Sequence, residues 1–172
     1  DNMVPPQAEC VVRVSAEEAK AALTASGFLA PEYEVSSDDA GAKIVAHGVA
    51  SHAAAPEHGK SAILMLADAL EKAGLVGGAS LRAVQAIRFF AQGCYGEHMG
   101  IAYEDPDTGK TTMTVGVART YGDEIELHAD CRLSVAANPA QMAARFEEAA
   151  RNAGLDVIET KTTDPVFIEK TD

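Results

Sequence analysis

The chain has no tryptophan, few aromatic residues and no long apolar segment. Aromatic residues make up 5% of its 172 residues, although hydrophobic residues as a group make up 47%. A composition of this kind, without an apolar run long enough to cross a bilayer, is typical of a soluble globular chain. A domain of this length buries about 70% of the surface that its unfolded chain exposes, so its core needs no disulfide or metal for stability.

Cysteine is also scarce. Cys10, Cys94 and Cys131 are odd in number, and no two of them have Cys-x-x-Cys spacing. This pattern argues against a disulfide framework and against a structural zinc site. We therefore expect three free thiols in a cytoplasmic protein.

The chain has fewer basic than acidic residues. Lys and Arg number 14 against 26 Asp and Glu, which gives a formal net charge of −12. Such a chain repels the phosphate backbone of nucleic acids and anionic membrane surfaces. We expect neither nucleic acid nor a membrane among its partners.

Apolar periodicity, capping residues and turn signals predict the elements of the first half. Ser15 begins a capping box, and Gly27 and Gly74 end helical patterns. The predicted order is strand, helix, strand, strand, helix, over residues 8–14, 15–27, near 35, 44–49 and 61–74.

The second half carries a similar set of elements. We predict a helix over 79–91, strands over 99–104, 111–120 and 124–135, a helix over 138–154 that Asn138 caps, and a final strand over 155–160. Hairpins and helices that share one covering surface predict an α+β fold, with an antiparallel sheet, helices on one face and ferredoxin-like elements in two related halves.

The segment from Gly48 to Ala62 puts His52 on a turn of small residues between a predicted strand and a predicted helix. Connections of this kind present binding and catalytic side chains. Spacing alone favours an ordinary loop histidine with one hydrogen bond. His47, His52 and His58 crowd this segment, but their spacing crosses a strand end and a proline turn, so it supports at most an adventitious surface metal site.

Residues 54–61 imitate the end of a phosphate-binding loop. Ala54 stands where the turn requires glycine, and Pro56 removes an amide that the phosphate would need. Nucleotide binding is therefore disfavoured.

His128 and Asp130 have the His-x-Asp spacing of two zinc ligands, and on a strand their side chains share a face. The pair lies in mid-strand, and no further cluster of ligands accompanies it. We read it as a solvated polar face on which Asp130 orients Arg132. No metal ligand is expected in this chain.

Five segments, taken in their order and separations, resemble the lid domain of bacterial zinc dipeptidases of the PepV type. They are residues 2–5, 48–62, 95–101, 113–117 and the strand that carries Arg132. The family also holds aminoacylases, glutamate carboxypeptidases and succinyl-diaminopimelate desuccinylase. Ser61, Thr114 and Pro6 depart from its usual pattern, although Ser61 can still cap a helix.

The resemblance implies that residues 1–172 form a single lid domain excised from a larger cytoplasmic peptidase. In that family two zinc ions, a bridging water and a glutamate base belong to a separate catalytic domain, whose segments are absent here. The implied partners are that catalytic domain and a dipeptide, and the isolated chain is expected to be inactive.

By the same resemblance, His52 stabilises the oxyanion that develops on the scissile carbonyl. Asn2 and Arg132 hold the C-terminal carboxylate of the substrate, for which the guanidinium fork is well suited. The alternative is a free-standing ligand-binding or dimerisation module of ferredoxin-like fold, in which His52 is merely structural. Metal-binding segments upstream and downstream in the parent reading frame would distinguish the two.

Overall fold

The computed structural model describes residues 2–163, which form an α+β fold as predicted. The strands are β1 (Met3–Val4), β2 (Gln7–Val12), β3 (Tyr33–Asp38), β4 (Gly41–His47), β5 (Ser51–His52), β6 (Glu104–Asp105), β7 (Gly109–Lys110), β8 (Thr112–Tyr121) and β9 (Glu124–Arg132). The helices are α1 (Ala16–Ala25), α2 (Ala62–Lys72), α3 (Gly78–Ala91) and α4 (Pro139–Asn152). All strand pairs in this part of the chain are antiparallel, and they form several small sheets rather than one.

The first half is built on a three-stranded sheet in the order β2, β4, β3. β2 and β3 are both antiparallel to β4, which lies between them, so they are parallel to each other. Because α1 connects β2 to β3, the three elements form the split β-α-β unit that characterises ferredoxin-like folds.

One face of this sheet is covered by helices. Along β4, Ala42, Ile44 and Ala46 are fully buried, whereas the residues between them are partly exposed. This alternation follows from the two-residue period of a strand. Leu23 of α1 and Met65 of α2 belong to the same hydrophobic cluster, so these helices form the other side of the first core.

The second half is built on the hairpin of β8 and β9. Met113 and Val115 of β8 are buried in a second core with Phe90 of α3 and Met142 of α4. Both halves therefore consist of a helix, a hairpin and a helix, with β2 as an additional strand in the first. This arrangement confirms the predicted similarity of the two halves.

The predicted strand over 155–160 is wrong, because within residues 2–163 this segment pairs with no other strand. The chain leaves α4 through Gly154, which has a positive φ of 82°. Leu155 and Val157 then pack against the second core. Alternating apolar residues fit an extended segment lying across a core as well as they fit a strand.

The predicted strand over 99–104 is also wrong for most of its length. Residues Glu97–Met99 form a 3₁₀ turn between two left-handed glycines, and only Glu104 at its end is in a strand. A Cβ on Gly96 would lie 2.4 Å from Cγ1 of Ile101, which is buried. Only glycine allows the backbone to approach this side chain so closely.

The helix starts agree with the capping chemistry read from the sequence. Ser15 Oγ accepts the N–H of Glu18 at 3.1 Å, and Ser61 Oγ accepts the N–H of Leu64 at 3.3 Å. Asn138 Oδ1 accepts the N–H of Gln141 at 3.0 Å. Each side chain satisfies one of the amides that a helix leaves unpaired in its first turn.

Two leucines that differ in burial provide a test of the first core. Leu23 is 1% exposed and Leu29 is 52% exposed. We expect Leu23→Ala to lower the free energy of unfolding by about 2–5 kcal/mol, because it leaves a cavity among packed side chains. Leu29→Ala, as the matched control, should change it by only about 0.5 kcal/mol. Urea unfolding measures both values, and equal losses would contradict this core assignment.

Candidate functional site

Asn2 directly precedes β1, and His52 lies in the neighbouring strand β5. In the pair of β1 and β5, Met3 is the register partner of His52. The N–H of Ala53 donates to the backbone carbonyl of Asn2 at 2.9 Å, which extends the ladder by one residue. Residues separated by 50 positions are therefore adjacent at this point.

Arg132 reaches the same region through a buried hydrogen bond. The Thr112 hydroxyl donates to the carbonyl of Ala53 at 2.8 Å, and Thr112 is the register partner of Arg132 in the β8–β9 hairpin. β1 also lies beside β8. The fold thus brings the chain segments of Asn2, His52 and Arg132 together.

The His52 ring is exposed and has one defined hydrogen bond. Its Nδ1 accepts the N–H of Ala54 at 3.1 Å. A nitrogen that accepts carries no proton, so the neutral ring carries its hydrogen on Nε2. His52 therefore has an N–H donor available for a ligand, which is the property that an oxyanion-stabilising residue needs.

Arg132 is held by the carboxylate two residues before it. Its Nε donates to Oδ1 of Asp130 at 3.3 Å, and its side chain remains 42% exposed. The orientation of Arg132 by Asp130 is as predicted. His128, two residues before Asp130 in β9, contacts Glu126.

A network of hydrogen bonds ties down the chain directly after Arg132. The Asp105 carboxylate accepts the hydroxyls of Ser134 and Thr108 and the N–H of Thr108. Thr108 Oγ1 in turn accepts the N–H of Val135 at 3.2 Å. These donors favour the ionised carboxylate and hold the pKa of Asp105 well below its usual range.

Adjacent threonines complete the connections around the site. Thr111 Oγ1 accepts the N–H of Ser134 at 3.2 Å, and Thr111 and Thr112 are both buried. Asp105 and both threonines are not among the candidate residues predicted from the sequence. Asp105 lies between two predicted strands, and the threonines begin the predicted strand over 111–120; two adjacent hydroxyls in an apolar strand are the signal that could have indicated them.

Residues 54–61, whose sequence resembles the end of a phosphate-binding loop, use backbone amides in internal hydrogen bonds. Its amides include those of Gly59, which donates to Pro56, and Lys60, which donates to Val49. The N–H of Ala62, just beyond it, donates to Pro5 at 2.9 Å. This segment does not form a cradle of free amides.

The three histidines of this region do not converge. Nε2 of His47 lies 2.8 Å from Glu34, and Nε2 of His58 lies 3.8 Å from Glu57. Within residues 2–163, no three or more His, Cys, Asp or Glu side chains are grouped to hold a metal ion. The three cysteines are free thiols.

No helix in the described part of the chain combines the length and the apolar character needed to cross a bilayer. No protein-family model matches the chain. No characterised protein matches it significantly either. A proposal about the function of this chain therefore rests on its sequence motifs and on the geometry described above.

The network around Asp105 predicts a specific dependence of stability on pH. Because its folded-state pKa is depressed, Asp105 stabilises the fold fully above the ordinary value of 3.8, and this contribution decreases as pH falls toward the folded-state pKa. We expect Asp105→Asn to lower the Tm at neutral pH, and the difference from wild type to shrink at pH values below 3.8.

Thermal unfolding measured from neutral to strongly acidic pH tests this expectation. Asp107→Asn is the matched control, because Asp107 contributes its backbone N–H and not its carboxylate to the network. A difference between wild type and Asp105→Asn that stays constant through the acidic range would contradict it.

Proposed function

We propose that this chain is the lid domain of a zinc-dependent dipeptidase. It closes over a dinuclear zinc site, stabilises the oxyanion through His52 and binds the substrate carboxylate through Asn2 and Arg132. The observation that carries the proposal is the meeting of these three segments through the β1–β5 ladder and the Thr112–Ala53 hydrogen bond.

The chemistry of the two principal side chains fits the two ends of a dipeptide. His52 offers an N–H donor at Nε2, which suits a carbonyl oxygen that gains negative charge during the reaction. Arg132 offers a cation whose ion pair with Asp130 uses Nε, so its Nη groups can meet a carboxylate. A small substrate with a peptide carbonyl close to a free carboxylate matches this combination.

The two zinc ions belong to the catalytic domain of the parent chain in this proposal. There they would polarise the scissile carbonyl and supply an activated water. The residues described here provide substrate-binding groups from the opposite side of the cleft. The isolated chain is accordingly inactive, and the parent enzyme is a cytoplasmic metallodipeptidase.

Replacement of His52 tests the oxyanion role. In the full-length enzyme, His52→Ala should lower kcat by about 10²–10³ with a smaller effect on KM, because the lost interaction is formed mainly in the transition state. His58→Ala is the matched control, since His58 is 75% exposed on the following turn. Steady-state kinetics with one dipeptide measures both, and an unchanged kcat for His52→Ala would remove the residue from the mechanism.

Replacement of Arg132 tests carboxylate recognition. Arg132→Lys keeps the charge and loses the planar fork. We expect wild type to prefer a dipeptide with a free C-terminus over the same dipeptide amidated there, and the variant to lose most of this preference through slower turnover of the free acid. The ratio of the two kcat/KM values is the measurement.

Arg119→Lys is the control for this experiment, because Arg119 is exposed and lies toward the other end of the hairpin. Its ratio should equal that of wild type. If Arg132→Lys also keeps the wild-type ratio, carboxylate recognition lies elsewhere. That outcome would favour a free-standing binding module over a lid.

A further inference from the structure

Two consecutive threonines connect the histidine segment and the arginine segment. Thr112 is 7% exposed, and its hydroxyl donates to the carbonyl of Ala53 at 2.8 Å. Thr111 is fully buried, and its Oγ1 accepts the N–H of Ser134 at 3.2 Å. Because the two threonines are adjacent, a single peptide unit connects the hydrogen bond to Ala53 with the hydrogen bond from Ser134.

Each hydrogen bond ends beside a residue of the candidate site. Ala53 directly follows His52, and Ser134 comes two residues after Arg132. Thr112 is also the register partner of Arg132. A short path of backbone and hydroxyl groups therefore connects the His52 segment to the Arg132 segment.

The residue type at these positions supports a specific role. A β-branched apolar residue such as valine would suit a buried strand position and avoid burying a hydroxyl. Threonine has the same shape and adds a hydroxyl that needs a hydrogen bond. Here both hydroxyls bond to backbone groups of the site segments, which valine could not do.

We propose that Thr111 and Thr112 are positioning residues that set the distance between the Nε2 donor of His52 and the guanidinium of Arg132. This inference rests on the proposed function. The distance selects substrates whose scissile carbonyl and C-terminal carboxylate have the spacing of an α-amino acid. A C-terminal β-amino acid adds one methylene between these groups and fits poorly.

The test compares glycyl-alanine with glycyl-β-alanine as substrates of the full-length enzyme. Wild type should prefer the α-substrate. Thr112→Val removes the hydroxyl at nearly constant volume, and we expect the ratio of the two kcat/KM values to fall by about ten- to a hundredfold, because misplaced binding groups lose rate. The loss should come mainly from glycyl-alanine, and Thr112→Ser, which keeps the hydroxyl, should restore the ratio.

The ratio separates positioning from a general loss of folded enzyme, which lowers both rates equally. Tyr33→Phe is the control, because the Tyr33 hydroxyl also donates to a backbone carbonyl, that of Met65, but in the first core. Its ratio should equal that of wild type. If Thr112→Val does not fold, Thr111→Val and Thr111→Ser provide the same comparison at the other hydrogen bond.

The outcomes of the two proposals are distinguishable. Hydrolysis of dipeptides by wild type together with an unchanged ratio in the valine variants overturns the positioning role alone. Failure of wild type to hydrolyse any dipeptide, with zinc bound, overturns the proposed function and the positioning role with it.

Discussion

The hydrogen bond from the Thr112 hydroxyl to the Ala53 carbonyl joins residues 59 positions apart in the chain, and the candidate site depends on it. On one side lies the two-strand ladder that holds Asn2 next to the His52 segment. On the other lies the hairpin whose last residue is Arg132. A buried hydroxyl that loses its partner destabilises a fold by more than an exposed one, so this contact tolerates little variation in the positions of the two strands.

The two cores maintain this contact because helices α2 and α3 belong to both of them. In α2, Met65 packs into the first core and Ile63 into the second. In α3, Val84 packs into the first core and Phe90 into the second. Closely packed interiors transmit small displacements rather than absorb them. The sheet of the first half and the hairpin of the second therefore pack against the same two helices.

Much of the fold could be predicted from the sequence, because its signals are local. Ser15, Ser61 and Asn138 cap the helices as read, since the capping hydrogen bond lies within four residues of the cap. The wrong predictions concern pairing, which is not local. Val157 alternates as a strand residue would, yet it packs on the second core, and nothing in its own neighbourhood specifies the absence of a partner strand.

The same reasoning separates the predictable from the unpredictable parts of the site. Asp130 and Arg132 could be predicted as a pair because the strand period places them on one face. His52, expected on a turn, lies instead in strand β5, and the resemblance rather than its spacing gave it a role in the site. Spacing along the sequence contains nothing that connects Thr112 to Ala53. That contact exists only once the ladder and the hairpin have been packed together, and sequence reasoning about single elements therefore misses it.

The net negative charge of the chain bears on how Arg132 could bind an anion. The chain carries a net charge of −12, which repels an anionic substrate at long range. At physiological salt this repulsion is screened beyond about 8 Å, whereas contact between a guanidinium and a carboxylate is not. If Arg132 binds a carboxylate as proposed, it does so through direct contact, and Asp130 holds the Arg132 side chain through Nε without occupying the whole guanidinium fork. In the proposed function, local geometry rather than overall charge therefore decides recognition of the carboxylate.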